Sequence, residues 1–260
     1  MTYHRIAEIP DGFDSPFAYS SLSHVLSLWL CDADKVEASQ RPALDDFTLV
    51  GNQRHALVAV SYQSYLADYG RASLISHELE IGPVVVPPGF EPPTMEDFLS
   101  GADQRGLVGI WPSAVYCDCE PAIAAGRAIY GEPKFPADFM IDVPAPNAEG
   151  SRWRVGATSE NSRCDLAIEL DGASASRPGQ PIINYGRRES GEVVSSRWDI
   201  FVGGRWWDQG SISVAQWAET LSEGGTARHP ELSGGQCIQV REHRSPVVAQ
   251  RSRPFFTATS

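Results

Sequence analysis

Residues 116–142 read YCDCEPAIAAGRAIYGEPKFPADFMID and are the most informative part of the chain. Glu120 and Pro121 predict the start of a helix, because proline is tolerated in a first turn, where its missing N–H is not needed. The residues that follow are small and apolar on almost every side, so we expect a buried helix that other groups approach closely at Gly126. Gly131 then ends this helix.

Lys134 stands in the stiffest part of this segment. Pro133 and Pro136 bracket it together with Phe135, and each proline fixes its own backbone angle and restricts the residue before it. We therefore expect an extended passage that holds the lysine side chain in one direction. Because burial among apolar groups disfavours an ammonium ion, Lys134 is the best candidate for a reactive group in this chain.

The string EPAIAAGR from Glu120 to Arg127, followed seven residues later by Lys134 after a proline, resembles acetoacetate decarboxylases and their superfamily. The matching residues are few, but they are ordered and include the lysine that forms a Schiff base with a keto substrate in that family. The resemblance implies a β-barrel-based fold, an oligomer and an enzyme that needs no cofactor.

A Schiff-base lysine must be neutral when it attacks a carbonyl carbon. An ordinary lysine, with a pKa of about 10.4, is uncharged in roughly one molecule in 2,500 at pH 7. Lowering that pKa to about 7 disfavours the ammonium by roughly 4.6 kcal/mol, which burial or a neighbouring cation can supply. The family places a second lysine after the reactive one. Because this chain has Phe135 there, we expect burial to keep the amine of Lys134 uncharged.

The family also has a glutamate that faces the lysine from the strand before the proline-bearing loop. In HELEIG, residues 77–82, Glu78 is the better match and Glu80 the second choice. Side chains at i and i+2 of a strand point the same way, so both should share the face that lines the pocket. An exposed acidic edge is the alternative for both residues.

Two charged residues of the family pattern are not found at the corresponding positions of this chain. A second family glutamate lies fifteen residues before the first, and this spacing lands on Gln63, which can hydrogen-bond a substrate but carries no charge. A family arginine near the start of the first long strand has no counterpart, and His24 is the nearest cationic candidate. Specificity for acetoacetate is therefore not implied.

Glu132, two residues before Lys134, stands where the family has an aromatic residue. In an extended segment both side chains point to the same side, where a carboxylate would raise the pKa of the lysine. Glu132 could form a plain ion pair, be turned away, or be a protonated acid that moves protons during imine formation. Tyr130 could orient a substrate carboxylate or carbonyl, or be a buried structural tyrosine. With Gln63, these two residues complete the predicted substrate-binding set.

The chain has 260 residues and 42% hydrophobic content, enough for a substantial core, and we predict a single domain over residues 1–260. A net charge of −12 argues against nucleic acid or an anionic membrane as partner. Neither a membrane span nor a signal-peptide core is evident, so we expect a cytoplasmic protein.

Cys117 and Cys119 are interpreted as buried thiols, with zinc as the weaker alternative.

Runs of β-forming residues separated by polar turns predict many strands, at 25–30, 47–50, 56–62, 73–86, 107–117, 152–157, 164–170, 181–185, 197–202 and 236–242. Short helices are expected at 32–36 and 214–221. This pattern predicts an α+β protein dominated by strands, arranged as an antiparallel barrel or sandwich. The family resemblance implies the barrel.

We interpret the chain as a lyase that needs no cofactor or metal, with Lys134 as nucleophile and Glu78 as acid/base. The substrate is expected to be a small keto acid, and decarboxylation of a β-keto acid is the reaction that the resemblance implies. An aldolase-dehydratase or a cyclase would use the same imine, and a catalytically silent ligand-binding barrel is a third interpretation. A homo-oligomer is expected.

Overall fold

The computed structural model describes residues 4–13, 15–44, 46–68, 73–103, 105–145, 147–172, 174–178, 180–201, 203–223, 226–244 and 249–257. The helices in these ranges are α1 (Ala33–Leu44), α2 (Met95–Ser100) and α3 (Glu120–Ala125), which continues into a π-helical turn (Gly126–Tyr130), with 3₁₀ turns at Gln209–Ser211 and Pro230–Leu232. None of the described helices combines the length and the apolar character needed to cross a bilayer.

The strands in the same ranges are β1 (His4–Ile6), β2 (Phe17–Asp32), β3 (Thr48–Leu49), β4 (His55–Asp68), β5 (Ser73–Val86), β6 (Gly109–Ile110), β7 (Ala114–Cys117), β8 (Lys134–Pro136), β9 (Asp138–Asp142), β10 (Ser151–Thr158), β11 (Ser162–Leu170), β12 (Ala175–Arg177), β13 (Ile182–Arg187), β14 (Val193–Ile200), β15 (Gly204–Asp208), β16 (Ile212–Leu221), β17 (Gln236–Arg244), β18 (Ala249–Arg251) and β19 (Phe255–Thr257). The predicted α+β class dominated by strands is confirmed.

Fifteen strands belong to one large mixed sheet, and a smaller sheet has the order β16–β11–β10–β9. In the large sheet the pairings follow a ring from β2 through β4, β5, β6, β13, β14 and β18 back to β2. The link between β6 and β13 is parallel and consists of the single pair Ile110 and Asn184. Because of this weak link, a regular antiparallel barrel is not confirmed.

Most predicted strands fall within strands of the structure, and one, 73–86, has the same bounds as β5. The end of another, Val202, lies outside the described residues. The predicted strand 107–117 is divided into β6 and β7 around Pro112, and the predicted helix 32–36 is the start of the longer α1.

The helix predicted at 214–221 is wrong, because this segment is part of strand β16. Its residues include good helix formers, but they pair with β11 along almost the whole strand. Pairing at the edge of the small sheet outweighs a weak local preference for helix.

The alternation of side chains along β5 separates the hydrophobic core from the functional site. Leu79 and Ile81 point toward the small sheet and pack in one cluster with Trp153 and Ile168. Glu78 and Glu80 therefore point to the opposite face of the large sheet, although both are buried. We call this second face the site face.

Replacing Ile168 by alanine should lower the free energy of unfolding by about 2 to 5 kcal/mol, because the side chain is fully buried between the sheets. The matched control is Ile75→Ala on β5, where the isoleucine is 66% exposed and the change should stay within about 0.5 kcal/mol. Denaturant unfolding of both variants measures the difference. Equal losses in the two variants would contradict this description of the core.

Candidate active site

Five neighbouring strands place polar side chains in one row on the site face. Directly paired residues of adjacent strands have their side chains on the same face. The pairs run across β17, β2, β4, β5 and β7 and consist, in that order, of His243, His24, Gln63, Glu78 and Cys117. This row is the floor of the candidate site, and Lys134 reaches it from β8, which pairs with β7.

The structure brings Lys134 and Glu78 together, as the sequence predicted. The amine donates a short hydrogen bond to Glu78 Oε1 and is only 4% exposed. Glu78 also accepts hydrogen bonds from the amide of Gln63 at 2.7 Å and from the hydroxyl of Tyr65 at 2.6 Å. Tyr65 was not predicted, although it lies two residues after Gln63 on β4 and hence on the same face.

Lys134 also lies 3.4 Å from Glu132 Oε2, so two carboxylates contact one amine. Burial lowers the pKa of Lys134, but the negative charges of Glu78 and Glu132 outweigh it, and the pKa lies well above its ordinary value. The resting side chain is therefore an ammonium ion. The expectation that burial alone keeps this amine uncharged is wrong.

Glu132 lies between Lys134 and an arginine that sequence reasoning missed. Arg251, on β18, donates a very short hydrogen bond to Glu132 Oε1, and its guanidinium also binds the hydroxyl of Ser196 at 2.8 Å. Burial raises the pKa of Glu132, but Arg251 and Lys134 lower it more, so its pKa lies below the usual value. Of the three alternatives for Glu132, the structure shows the ion pair, with both Lys134 and Arg251 as partners.

Arg251 was missed because its strand comes from the far end of the chain and joins β2 only in the folded protein. No local spacing in the sequence indicates this. His24, the cationic candidate that we considered, is fully buried and bonded to His243 and to Ser61. Burial and the neighbouring His243 hold the pKa of His24 well below its ordinary value, so it is neutral.

Tyr130 and Arg127 support the site without pointing a polar group into it. The hydroxyl of Tyr130 donates to the carbonyl oxygen of Ser252 at 3.0 Å, and its ring lies 3.8 Å from the guanidinium of Arg251. Arg127 donates from Nε to the carbonyl oxygen of Lys134 at 2.6 Å.

Asp118 is not the helix cap that its position suggests. Its carboxylate accepts a hydrogen bond from the backbone N–H of His77, and the residue at the cap position is Cys119, whose side chain makes no capping bond. Cys117 and Cys119 are buried free thiols, as predicted. Cys117 adds a weak contact from its sulfur to Glu78 Oε1 at 3.7 Å.

Glu80 shares the site face with Glu78, as the i and i+2 spacing predicted. It accepts hydrogen bonds from the amide of Asn184 at 3.0 and 3.3 Å. Burial and the negative charge of Glu132 raise the pKa of Glu80 to about 8. Glu80 therefore differs from Glu78, which accepts a bond from a cation.

A small cavity of about 20 Å³ opens on the site face, and its wall includes Ser61, Gln63, Glu78, Glu80, Trp198 and Arg251. This volume is enough for about one water molecule. A keto acid would need side chains of the wall to move before it could enter.

Gly126 allows Lys134 to occupy its position. A Cβ atom at Gly126 would lie 2.5 Å from Lys134 Cδ and 2.8 Å from Glu132 Oε2, far inside van der Waals contact. The close approach predicted at Gly126 is thus made by the side chain of Lys134. Gly131 ends the π-helical turn with a positive φ of 65°, as the sequence predicted.

No protein-family model matches this chain, and no curated protein matches it. Several solved structures are similar to it. An acetoacetate decarboxylase-like enzyme from Sphingomonas wittichii RW1 has a TM-score of 0.56 and 14% identity, over 95% of this chain and 93% of that one.

An enduracididine biosynthesis enzyme, solved with the condensation product of pyruvate and imidazole 4-carboxaldehyde, has a TM-score of 0.56 and 11% identity over 92% of this chain and 87% of that one. The acetoacetate decarboxylase of Legionella pneumophila has a TM-score of 0.52 and 10% identity over 97% and 91%. At these identities the likeness shows the fold. The chain has the acetoacetate decarboxylase-like fold that the resemblance implied.

Replacing Glu132 by glutamine should lower the pKa of Lys134, because one of the two carboxylates that stabilise the ammonium is removed. The chain has two lysines, so ¹⁵N-lysine labelling gives two side-chain NMR signals, which Lys35→Ala assigns. The signal of Lys134 should titrate above about 10.4 in the wild type and at lower pH in the variant.

The matched control for this titration is Glu242→Gln. Glu242 is also buried and binds two arginines, Arg205 and Arg244, but it makes no contact with Lys134. It should therefore leave the pKa of Lys134 unchanged. An unchanged pKa in the Glu132 variant as well would show that the contact between Lys134 and Glu132 is not electrostatically important.

Gly126→Ala should lower the free energy of unfolding by about 1 to 3 kcal/mol, because the new methyl group overlaps Lys134 and Glu132. Gly126 has helical angles, with φ −58°, so the variant introduces no backbone strain. Gly210→Ala is the control, since a Cβ there meets nothing within 4 Å. A stabilised Gly126 variant, as expected from helix propensity alone, would contradict the overlap.

Proposed function

We propose that this chain is a Schiff-base lyase in which Lys134 condenses with the carbonyl carbon of a small keto acid. The observation that carries this proposal is the buried contact between the amine of Lys134 and Glu78, a residue in the wall of the small cavity. The fold, shared with an acetoacetate decarboxylase and with an enzyme that holds a condensation product of pyruvate, supports it.

Glu78 is proposed as the base that makes the amine nucleophilic. Transfer of one proton from Lys134 to Glu78 replaces an ion pair by two neutral groups, and the pair keeps the same net charge. A carbonyl compound that fills the cavity displaces water and lowers the local dielectric, which disfavours the two separate charges. Gln63 and Tyr65 hold the carboxylate in position through both of its oxygens.

The imine acts as an electron acceptor when a carbon–carbon bond of the substrate breaks. Its cationic nitrogen accepts the electron pair of the bond that is lost as carbon dioxide leaves a β-keto acid, and an enamine remains. Arg251 lies in the cavity wall and is proposed to bind the substrate carboxylate, in competition with Glu132. Tyr130 is proposed to act through its ring, which lies against Arg251.

An aldolase-dehydratase or cyclase is the second candidate, because it would use the same imine. The observation in its favour is the similar structure that holds a condensation product of pyruvate. A ligand-binding protein without catalysis is the third candidate, favoured by the small cavity and the charged resting lysine. We further propose a homo-oligomer in the cytoplasm that acts without a metal or an organic cofactor.

Borohydride reduction in the presence of acetoacetate or pyruvate should attach the keto acid, or the ketone that remains after loss of carbon dioxide, covalently to Lys134. Peptide mass spectrometry locates the adduct, and Lys134→Ala should abolish it while the protein stays folded. Lys35→Ala is the matched control, since this second lysine is exposed on α1, and it should form the adduct normally.

An adduct that persists in the Lys134 variant would place the nucleophile elsewhere. The absence of an adduct in the wild type with 2- and 3-keto acids would favour the ligand-binding candidate. Where an adduct forms, release of carbon dioxide distinguishes decarboxylation from aldol or dehydration chemistry.

A further inference from the structure

We propose that Glu80 is the general acid of this site, which keeps its proton at neutral pH and gives it to the oxygen that leaves as water when the imine forms. The proposal rests on the Schiff-base function proposed above. It separates the roles of two carboxyl groups on one strand, with Glu78 as base and Glu80 as acid.

A balance of charges around the cavity supports this assignment. The described residues place two cations there, Lys134 and Arg251, and three carboxyl groups, those of Glu78, Glu80 and Glu132. Lys134 contacts Glu78 and Glu132, and Arg251 contacts Glu132. Within the described chain, Glu80 makes no ion pair with either cation. If Glu80 were ionised, these five buried side chains would carry one uncompensated negative charge, which is strongly unfavourable.

The side chain of Asn184 provides a second observation that supports a protonated Glu80. Its amide nitrogen lies 3.0 Å from Glu80 Oε2, while its amide oxygen is buried and has no hydrogen-bond partner among the described residues. In the observed arrangement the amide nitrogen donates to Glu80. A half-turn of the amide would instead place the oxygen against the carboxyl group, where a protonated Glu80 would supply the donor that the oxygen lacks.

The groups that surround Glu80 come from several elements. Some of them raise its pKa and others lower it. Burial and the charges of Glu132 and Glu78 raise the pKa of Glu80, while Arg251 and Lys134 lower it, and the resulting value is about 8. Ser61, directly opposite on β4, and Asn184 on β13 are neutral. At neutral pH the balance therefore favours the protonated acid.

The proposed step conserves atoms and charge. After the neutral amine has added to the carbonyl carbon, the resulting carbinolamine carries a hydroxyl group. The C–O bond of this group breaks, the proton of Glu80 moves to the departing oxygen to form water, and the nitrogen lone pair forms the C=N bond. One cation, the iminium, and one anion, the Glu80 carboxylate, appear together. The net charge of the cavity therefore does not change.

The proposed step needs a proton donor close to the departing oxygen. The cavity has room for about one water molecule, and Glu80 lies in its wall. Departure of hydroxide without a proton donor is slow, and a positioned general acid accelerates such a step by typically 10²–10⁴-fold.

The test compares Glu80→Gln with Glu80→Asp. The rate of imine formation is measured between about pH 6 and pH 9.5, as the rate of borohydride trapping with acetoacetate and with pyruvate. In the wild type this rate should fall as the pH rises through about 8, because Glu80 loses its proton. Glu80→Gln should be slower by at least about tenfold and lack this alkaline decline. Glu80→Asp should retain the decline.

Glu242→Gln is the matched control, because Glu242 is a buried glutamate outside the cavity and pairs with two arginines. It should keep the alkaline decline. A Glu80→Gln variant with the wild-type rate and the wild-type decline would overturn the role of Glu80 and leave the Schiff base intact. A wild type that forms no adduct would remove both proposals.

Stability provides a readout that does not depend on activity. The pKa of Glu80 is raised from about 4.5 to about 8 on folding, so its contribution is fully present below pH 4.5 and is lost as the pH rises toward 8. Glutamine cannot ionise. The free energy of unfolding of Glu80→Gln should therefore increase relative to the wild type between pH 4.5 and pH 8. A constant difference over this range would overturn the protonated state on which the proposal depends.

Discussion

The candidate site depends on the electrostatic compensation of one buried amine, that of Lys134. Lys134 is almost completely removed from water, and burial alone would favour its neutral form. Glu78 and Glu132 contact it, however, and Arg251 compensates Glu132 in turn. Four charges thus balance within a small volume. Removing one member of this buried charge cluster lowers stability, because it leaves an uncompensated charge.

The sheet makes this compensation possible. Side chains alternate along β5, so the same strand contributes Leu79 and Ile81 to the core between the sheets and Glu78 and Glu80 to the site face. The helix before β8 contributes in a different way. It has no side chain at Gly126, and the stem of Lys134 passes through the space that a larger residue would fill. The core and the site therefore depend on the same strands and on the same register.

Sequence reasoning located the residues that lie close to Lys134 along the chain and those at family spacings. Glu132, Glu78 and Gln63 all lie where the amine or its partner reaches them. Arg251 was missed, because its strand meets β2 only after folding, and the family pattern directed attention to His24. The helix expected at 214–221 was wrong for a related reason, since pairing with β11 overrides the local preference of that segment.

The sequence by itself determined the β-dominated class, the stiff segment around Lys134, and the common face of Glu78 and Glu80. These properties follow from local geometry, from proline restriction and from the alternation of a strand. Only the tertiary structure decided which charges surround Lys134 and Glu80. The charge of a buried group depends on every other charge within a few ångströms, and those charges come from β5, from the segment before β8 and from β18. A local sequence pattern does not show which of these distant charges will lie next to a buried group after folding.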